Sequence, residues 1–326
     1  MKDLKREILS MVEKDLKEIE IALSDNLNPY LNLVSDVAGH ILFAGGKRLR
    51  PLLMVLSARI CGYKGRYDKI FSTIFEYLHA ATLLHDDLVD GANLRRGKPV
   101  ANSIWGNSTA VLVGDFLLAR GLSIAAATGK PKVIKIIAGI TEDMSQGEIH
   151  QLIRKGSPDL TEEEYMEIIR RKTAVLFEGA CRISACIANA PKREERAVSE
   201  YGYNMGMAFQ MADDLLDYTL DTGALGKEVG ADLKEGKLTL PVIYALKEAD
   251  RNDRLRMEAI IKNKNFPARD FKLLIRLLEK YGGIEYTKES AKNHIEKAKK
   301  TLLVFKPSKT RRILEYIADY ALSRKT

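Results

Sequence analysis

Two groups of carboxylates carry the clearest chemistry in this chain. Residues 83–90 read LLHDDLVD and residues 209–217 read FQMADDLLD, so Asp86, Asp87 and Asp90 share the i, i+1, i+4 spacing of Asp213, Asp214 and Asp217. Each residue advances a helix by about 100°, and four bring it back to within about 40°. The first and last aspartate of each group therefore share a face. Leucine, valine, alanine and methionine surround both groups. Carboxylates in apolar surroundings repel each other and are poorly hydrated unless cations neutralise them. Hard divalent cations suit such oxygen donors, and Mg²⁺ characteristically sits between one or two carboxylates and the phosphates of a substrate. One isolated DDxxD is usually a charged helix end. Its recurrence 213 − 86 = 127 residues later, too far for a solenoid period, favours metal binding. The expectation is two helices whose clusters face each other across a cavity, around several metal ions and a polyanion.

Basic residues in glycine-containing stretches could hold that polyanion. In GGKRLRP (45–51) the glycines let backbone approach an anion, and Pro51 suits the start of a helix whose N-terminus adds donors and a favourable dipole. Lys47 and Arg50 would supply the counter-charge; a plain helix-turn-helix corner explains the stretch equally well. Arg95, Arg96 and Gly97 follow the first cluster directly, and adjacent guanidiniums donate paired hydrogen bonds to phosphate. Lys172-Thr173-Ala174, Lys227 in a glycine-bearing flap, and Lys237 in EGKLTLP are further anion candidates, each with a surface lysine as the simpler explanation. His79 lies two turns before Asp86 on nearly the same face, although a lone histidine is more often structural.

These side chains need helices to position them. Apolar residues recur at three- and four-residue intervals, which predicts helices over 2–24, 30–43, 51–61 and 67–90. Residues 101–128 read as one fully buried helix, and 131–154 as another. Thr161-Glu162-Glu163-Glu164 looks like a capped start to a helix with Lys172 in mid-run. Further helices are expected over 193–219, 240–249, 253–262, 268–281, 284–304 and 308–324. Strand-like alternation is absent and no linker stands out, so the expectation is a single all-α domain spanning 1–326. Composition agrees: 46% of residues are hydrophobic and only 9 are proline. No run of about 18 consecutive apolar residues marks a transmembrane segment, and the charged N-terminus resembles neither a signal nor a transit peptide, which points to the cytoplasm. Cys61, Cys181 and Cys186 lack metal-site spacing and read as inert thiols. The net charge of +8 suits an anionic partner, but no nucleic-acid-binding motif accompanies it.

Assembled in order, GGKRLRP, LLHDDLVD, RRGKP, KTA, FQMADDLLD and GKEVGADLKEGKLTLP resemble the trans-isoprenyl diphosphate synthases, or polyprenyl synthetases, most of all the long-chain octaprenyl type. The resemblance covers nearly the whole chain. It implies a bundle of antiparallel helices around a deep central cavity, working as a homodimer. It implies head-to-tail condensation of isopentenyl diphosphate with an allylic diphosphate, dependent on Mg²⁺. By position, Asp86, Asp90 and Asp213 would ligate the metal, with Asp87, Asp214 and Asp217 completing or supporting that site. Arg95, Lys172, Thr173, Gln210, Lys227 and Lys237 would bind the allylic diphosphate. Lys47, Arg50, His79 and Arg96 would hold isopentenyl diphosphate. Short-product members carry a bulky aromatic one turn before the first cluster, where this chain has Ala81 and Thr82. A long product is therefore implied, for a quinone side chain, with a floor set deeper by residues such as Tyr77. Alternatives are a short-chain synthase, a class I terpene cyclase and a non-catalytic synthase subunit; the intact second cluster and GGKRLRP argue against the last two.

Overall fold

The computed structural model describes residues 2–95, 97–219, 230–263 and 265–322, and these are helical almost throughout. In chain order the helices are α1 (Lys2–Leu27), α2 (Asn32–Leu42), α3 (Leu49–Ile60), α4 (Asp68–Val89), α5 (Ala101–Trp105), α6 (Asn107–Ala126), α7 (Pro131–Ile153) and α8 (Glu162–Ile169). A π-helical turn (Arg170–Ala174) leads into α9 (Val175–Ile187), followed by α10 (Lys192–Thr219), α11 (Ala231–Lys234), α12 (Leu240–Glu248), α13 (Arg251–Lys262), α14 (Ala268–Lys280), α15 (Gly283–Thr301) and α16 (Lys309–Leu322). The chain forms two compact units. Unit 1 comprises Met1–Glu142, Leu176–Gly202 and Thr301–Ile317; unit 2 comprises Asp143–Val175, Tyr203–Lys300 and Ala318–Thr326.

In unit 1, α4 packs against α1, α2, α3 and α6. Ile74, Phe75, Leu78, Ala81 and Leu84 recur at helical spacing on its buried side. Helix α6 comes close because it presents glycine to α4: Gly114 lies against His85, and Gly121 against Ile74 and Leu78. The core of unit 2 gathers Met211, Leu240, Met257, Leu274, Leu278 and Ala291. Helix α8 starts with the capping box its sequence suggests, Thr161 and Glu164 each bonding the other's backbone NH.

Two expectations need correction. Residues 101–128 are not one buried helix: Gly106, at φ 82°, separates α5 from α6. Nor is α6 fully buried, since Leu112 is 65% exposed and Val111 and Leu122 are also exposed. By length and composition α6 could cross a membrane, and 39% of that stretch is buried in the protein. Asp115 and Arg120 interrupt its apolar run, which is why the run length did not single it out. A strand pair is present as well: β1 (Leu94–Arg95) pairs antiparallel with β2 (Lys98–Pro99). Two residues per strand are too few for alternation to register.

Candidate active site

Helix α4 ends where its sequence says it must. Gly91 adopts φ 64°, its NH bonds the Leu88 carbonyl, and the Ala92 NH bonds that of Asp87. This is the Schellman closure that glycine permits. Asp86 and Asp87 thus lie in the last turn of α4 and Asp90 at its cap, with no basic residue in that turn. A helix C-terminus carries negative partial charge, so three carboxylates there call for cations from outside the helix.

One such cation is Arg95 on β1. Its Nε and Nη2 donate to Asp87 Oδ1 at 2.9 and 2.7 Å, and Nε also reaches Oδ2 at 3.2 Å. Asp87 is only 2% exposed, whereas Asp86 and Asp90 are half-buried. The structure therefore ties Arg95, an expected phosphate ligand, to the central aspartate. Arg96 lies outside the described residues.

The GGKRLRP corner divides its basic residues between two tasks. Lys47 is exposed, and Arg50 is half-buried with its guanidinium 4.8 Å from the centre of the Phe177 ring. Arg48, which sequence reasoning passed over, is the anchor. It caps α3 in the left-handed conformation (φ 47°) and is 6% exposed. Its guanidinium donates to Glu20 on α1, Glu76 on α4 and the Leu42 carbonyl. Nothing in KRLR distinguishes the arginine that turns inward; the signal lies in Glu20 and Glu76, which are otherwise unexplained acids on apolar helix faces. His79 is half-buried, and its carbonyl accepts the Thr82 hydroxyl at 2.8 Å.

Unit 2 assembles the second cluster around the π turn. Lys172 Nζ donates to Gln151 Oε1 at 2.8 Å and pairs with Glu148, both on α7. Thr173 Oγ1 donates to Gln210 Oε1 at 2.7 Å, and Gln210 Nε2 donates to Asp214 Oδ1 at 2.7 Å. The other Asp214 oxygen accepts the Tyr165 hydroxyl at 2.6 Å. Burial, with Asp232 and Asp213 nearby, pushes the Asp214 carboxyl up to about 8. Asp217 is buried, and its oxygens accept the backbone NH groups of Ala231 and Asp232, so it caps α11. Asp213 is exposed. Lys237 pairs with Glu235 at 2.6 Å, and Lys227 lies outside the described residues. Tyr165, Glu148 and Asp232 were missed because each is a common helix residue whose partners lie far away in sequence.

Of the residues tied to product length, Tyr77 is fully buried and its hydroxyl donates to the Leu23 carbonyl on α1 at 2.7 Å. Ala81 has no accessible surface, and Thr82 is half-buried. Cys61 and Cys181 have thiols pushed up to about 12 by burial, which suits inert cysteines.

Among the described residues, no three acidic, histidine or cysteine side chains converge closely enough to hold a metal by themselves. Asp86, Asp90 and Asp213 are expected to hold Mg²⁺, an ion that retains several waters and takes one or two carboxylates together with substrate phosphates. The donors are oxygens, so the residues fit the ion.

A family model described as "Polyprenyl synthetase" matches residues 31–278. The octaprenyl diphosphate synthase of Escherichia coli (strain K12) is 36% identical over 317 residues, covering 97% of this chain and 98% of that protein. A polyprenyl synthase from Caulobacter crescentus CB15, solved with calcium and isoprenyl diphosphate, superposes with a TM-score of 0.92 at 37% identity and covers 99% of this chain and 98% of its own. A geranylgeranyl pyrophosphate synthetase from Pyrococcus horikoshii Ot3 gives 0.91 at 32% identity, covering 98% and 99%.

Proposed function

The chain belongs to the polyprenyl synthetase family and is a prenyltransferase; from that premise we propose that it elongates an allylic diphosphate with isopentenyl diphosphate to a long all-trans polyprenyl diphosphate, destined for a quinone side chain. The observation that carries the site assignment is the shared build of the two clusters. In each, the protein itself holds the central aspartate, Asp87 through Arg95 and Asp214 through Tyr165 and Gln210. Asp86, Asp90 and Asp213 keep accessible surface for a cation.

Asp86, Asp90 and Asp213 would hold Mg²⁺, which when bound neutralises charge on the allylic diphosphate. Lys172, Gln210, Lys227 and Lys237 bind the same group. Lys47, Arg50, His79 and Arg96 hold isopentenyl diphosphate. The allylic carbon–oxygen bond breaks and its electron pair leaves with diphosphate, where basic side chains stabilise the developing charge. The isopentenyl double bond attacks the allylic carbon, one carbon–carbon bond forms, and loss of a proton restores a double bond. The departing diphosphate can accept that proton. Apolar walls keep water from quenching the cation.

We also propose that a second copy of the chain covers Val111, Leu112 and Leu122, the exposed apolar face of α6.

The test is the purified protein alone with both diphosphates and Mg²⁺, its products resolved by chromatography. Long linear products are expected. Cyclised hydrocarbon, or no product without a second protein, would overturn the reading. Asp86→Ala and Asp213→Ala should each lower turnover at least about a hundredfold with helical content retained, since each removes charge stabilisation worth roughly 3 kcal/mol.

A further inference from the structure

Tyr165 belongs to none of the motifs, yet its hydroxyl ends a hydrogen-bonded chain through three residues of the second site. Asp214 is 6% exposed and Tyr165 3% exposed, so neither has much water to fall back on. Every bond in this hydrogen-bonded chain is directed toward Asp214. Tyr165 donates to Oδ2, and Gln210 turns its NH₂ toward Oδ1. The Gln210 carbonyl oxygen then points the other way and takes the proton of Thr173. Three elements are locked at once: α8 through Tyr165, the π turn through Thr173, and α10 through Gln210 and Asp214. The Gln210 NH₂ group keeps a second hydrogen, and Lys172 and Asp213 adjoin the locked positions in sequence.

We propose that Tyr165 is a positioning residue for diphosphate binding. By holding Asp214 it orients the Gln210 amide and fixes the π turn against α10, and so presents Lys172, Gln210 and Asp213 to the Mg²⁺–diphosphate group. This rests on the function proposed above. The Thr173 hydroxyl then acts within the protein, since its proton is committed to Gln210.

Tyr165→Phe removes the hydroxyl and keeps the ring. Tyr201→Phe is its control: Tyr201 is also buried and donates to the carbonyl of Leu314, a residue with no assigned role in the site. Tyr165→Phe should weaken Mg²⁺-dependent binding of inorganic diphosphate, measured by calorimetry, about tenfold. It should raise KM for the allylic diphosphate by a similar factor and leave KM for isopentenyl diphosphate unchanged. Tyr201→Phe should lower the melting temperature comparably and alter none of these constants. Asp214→Asn, which cannot accept both donors, should repeat the Tyr165→Phe pattern and serves if Tyr165→Phe fails to fold. Adding Tyr165→Phe to Asp214→Asn should then bring no further loss in diphosphate binding.

Unchanged diphosphate binding in Tyr165→Phe or in Asp214→Asn, with Asp213→Asn impaired, overturns the proposal and leaves the metal assignment standing. Unchanged binding in Asp213→Asn overturns both.

Discussion

Side chains of one type do different work here, and the difference is set by what the neighbours supply. Asp87 is buried beside Arg95, and removing the cation leaves an uncompensated charge. Arg95→Ala should therefore cost about 2–4 kcal/mol by chemical denaturation, and adding Asp87→Asn should restore much of it. Lys47→Ala and Arg50→Ala should raise KM for isopentenyl diphosphate more than for the allylic substrate, and Arg95→Ala should show the opposite bias. Equal losses in all three would refute the division of roles. His294 offers a pH test away from the site. Burial, with Lys297 nearby, lowers its imidazole to about 4, and the ring bonds Asn204. The folded state keeps it neutral while the unfolded chain takes up a proton below about 6.5. Its contribution is thus present above that pH and lost as pH falls toward 4. After allowance for partial exposure, roughly 1–2 kcal/mol of the acid-side loss should disappear in His294→Gln, read from melting temperatures across that range. At this scale the sequence was legible wherever spacing repeats, as in the two aspartate groups. It was not legible for Arg48, Tyr165 or Asp232, whose partners sit on other helices.

Helices were legible from periodicity, and the start of α8 from Thr161, because caps act within a few residues. The π turn at Arg170–Ala174 was not, since one extra residue in a helical turn leaves the apolar pattern nearly intact. Its setting explains it. Gly147 on α7 lies against Arg171 and the Lys172 amide, and Gly206 on α10 lies against the Ala174 backbone. Two glycines thus let two helices close on the turn, and Gln210, one helical turn beyond Gly206, reaches Thr173. A methyl group at Gly206 meets backbone 2.5 Å away at Ala174 Cα, with no side chain to yield. Gly206→Ala should lower stability by about 1–3 kcal/mol and raise KM for the allylic diphosphate. A calorimetric melt together with substrate titration reads both. The same mutation with normal kinetics would show that the close approach serves packing alone.

For the whole molecule, association and product length are the properties to test. Leu112→Glu on the exposed face of α6 should shift the protein to monomers by light scattering if a second copy covers that face. Product length needs a different test at each of two neighbouring positions. Ala81 is closed in by packing, so Ala81→Phe should overpack the core, by about 1–3 kcal/mol, in a thermal melt. Thr82 retains surface, so Thr82→Phe should shorten the product on chromatography with the first condensation retained. An unchanged chain length would place the floor elsewhere. Both residues lie between Glu76, which holds the Arg48 corner, and Asp86, which begins the first cluster. Those ten residues of unbroken α4 span about 15 Å, and inserting one would turn the far end by about 100°. Descent with modification is therefore constrained unevenly along this stretch. Side chains between Glu76 and Asp86 can be exchanged without disturbing that spacing, but an insertion or deletion there would uncouple the Arg48 corner from the first cluster, so the interval should keep its length wherever both ends are retained.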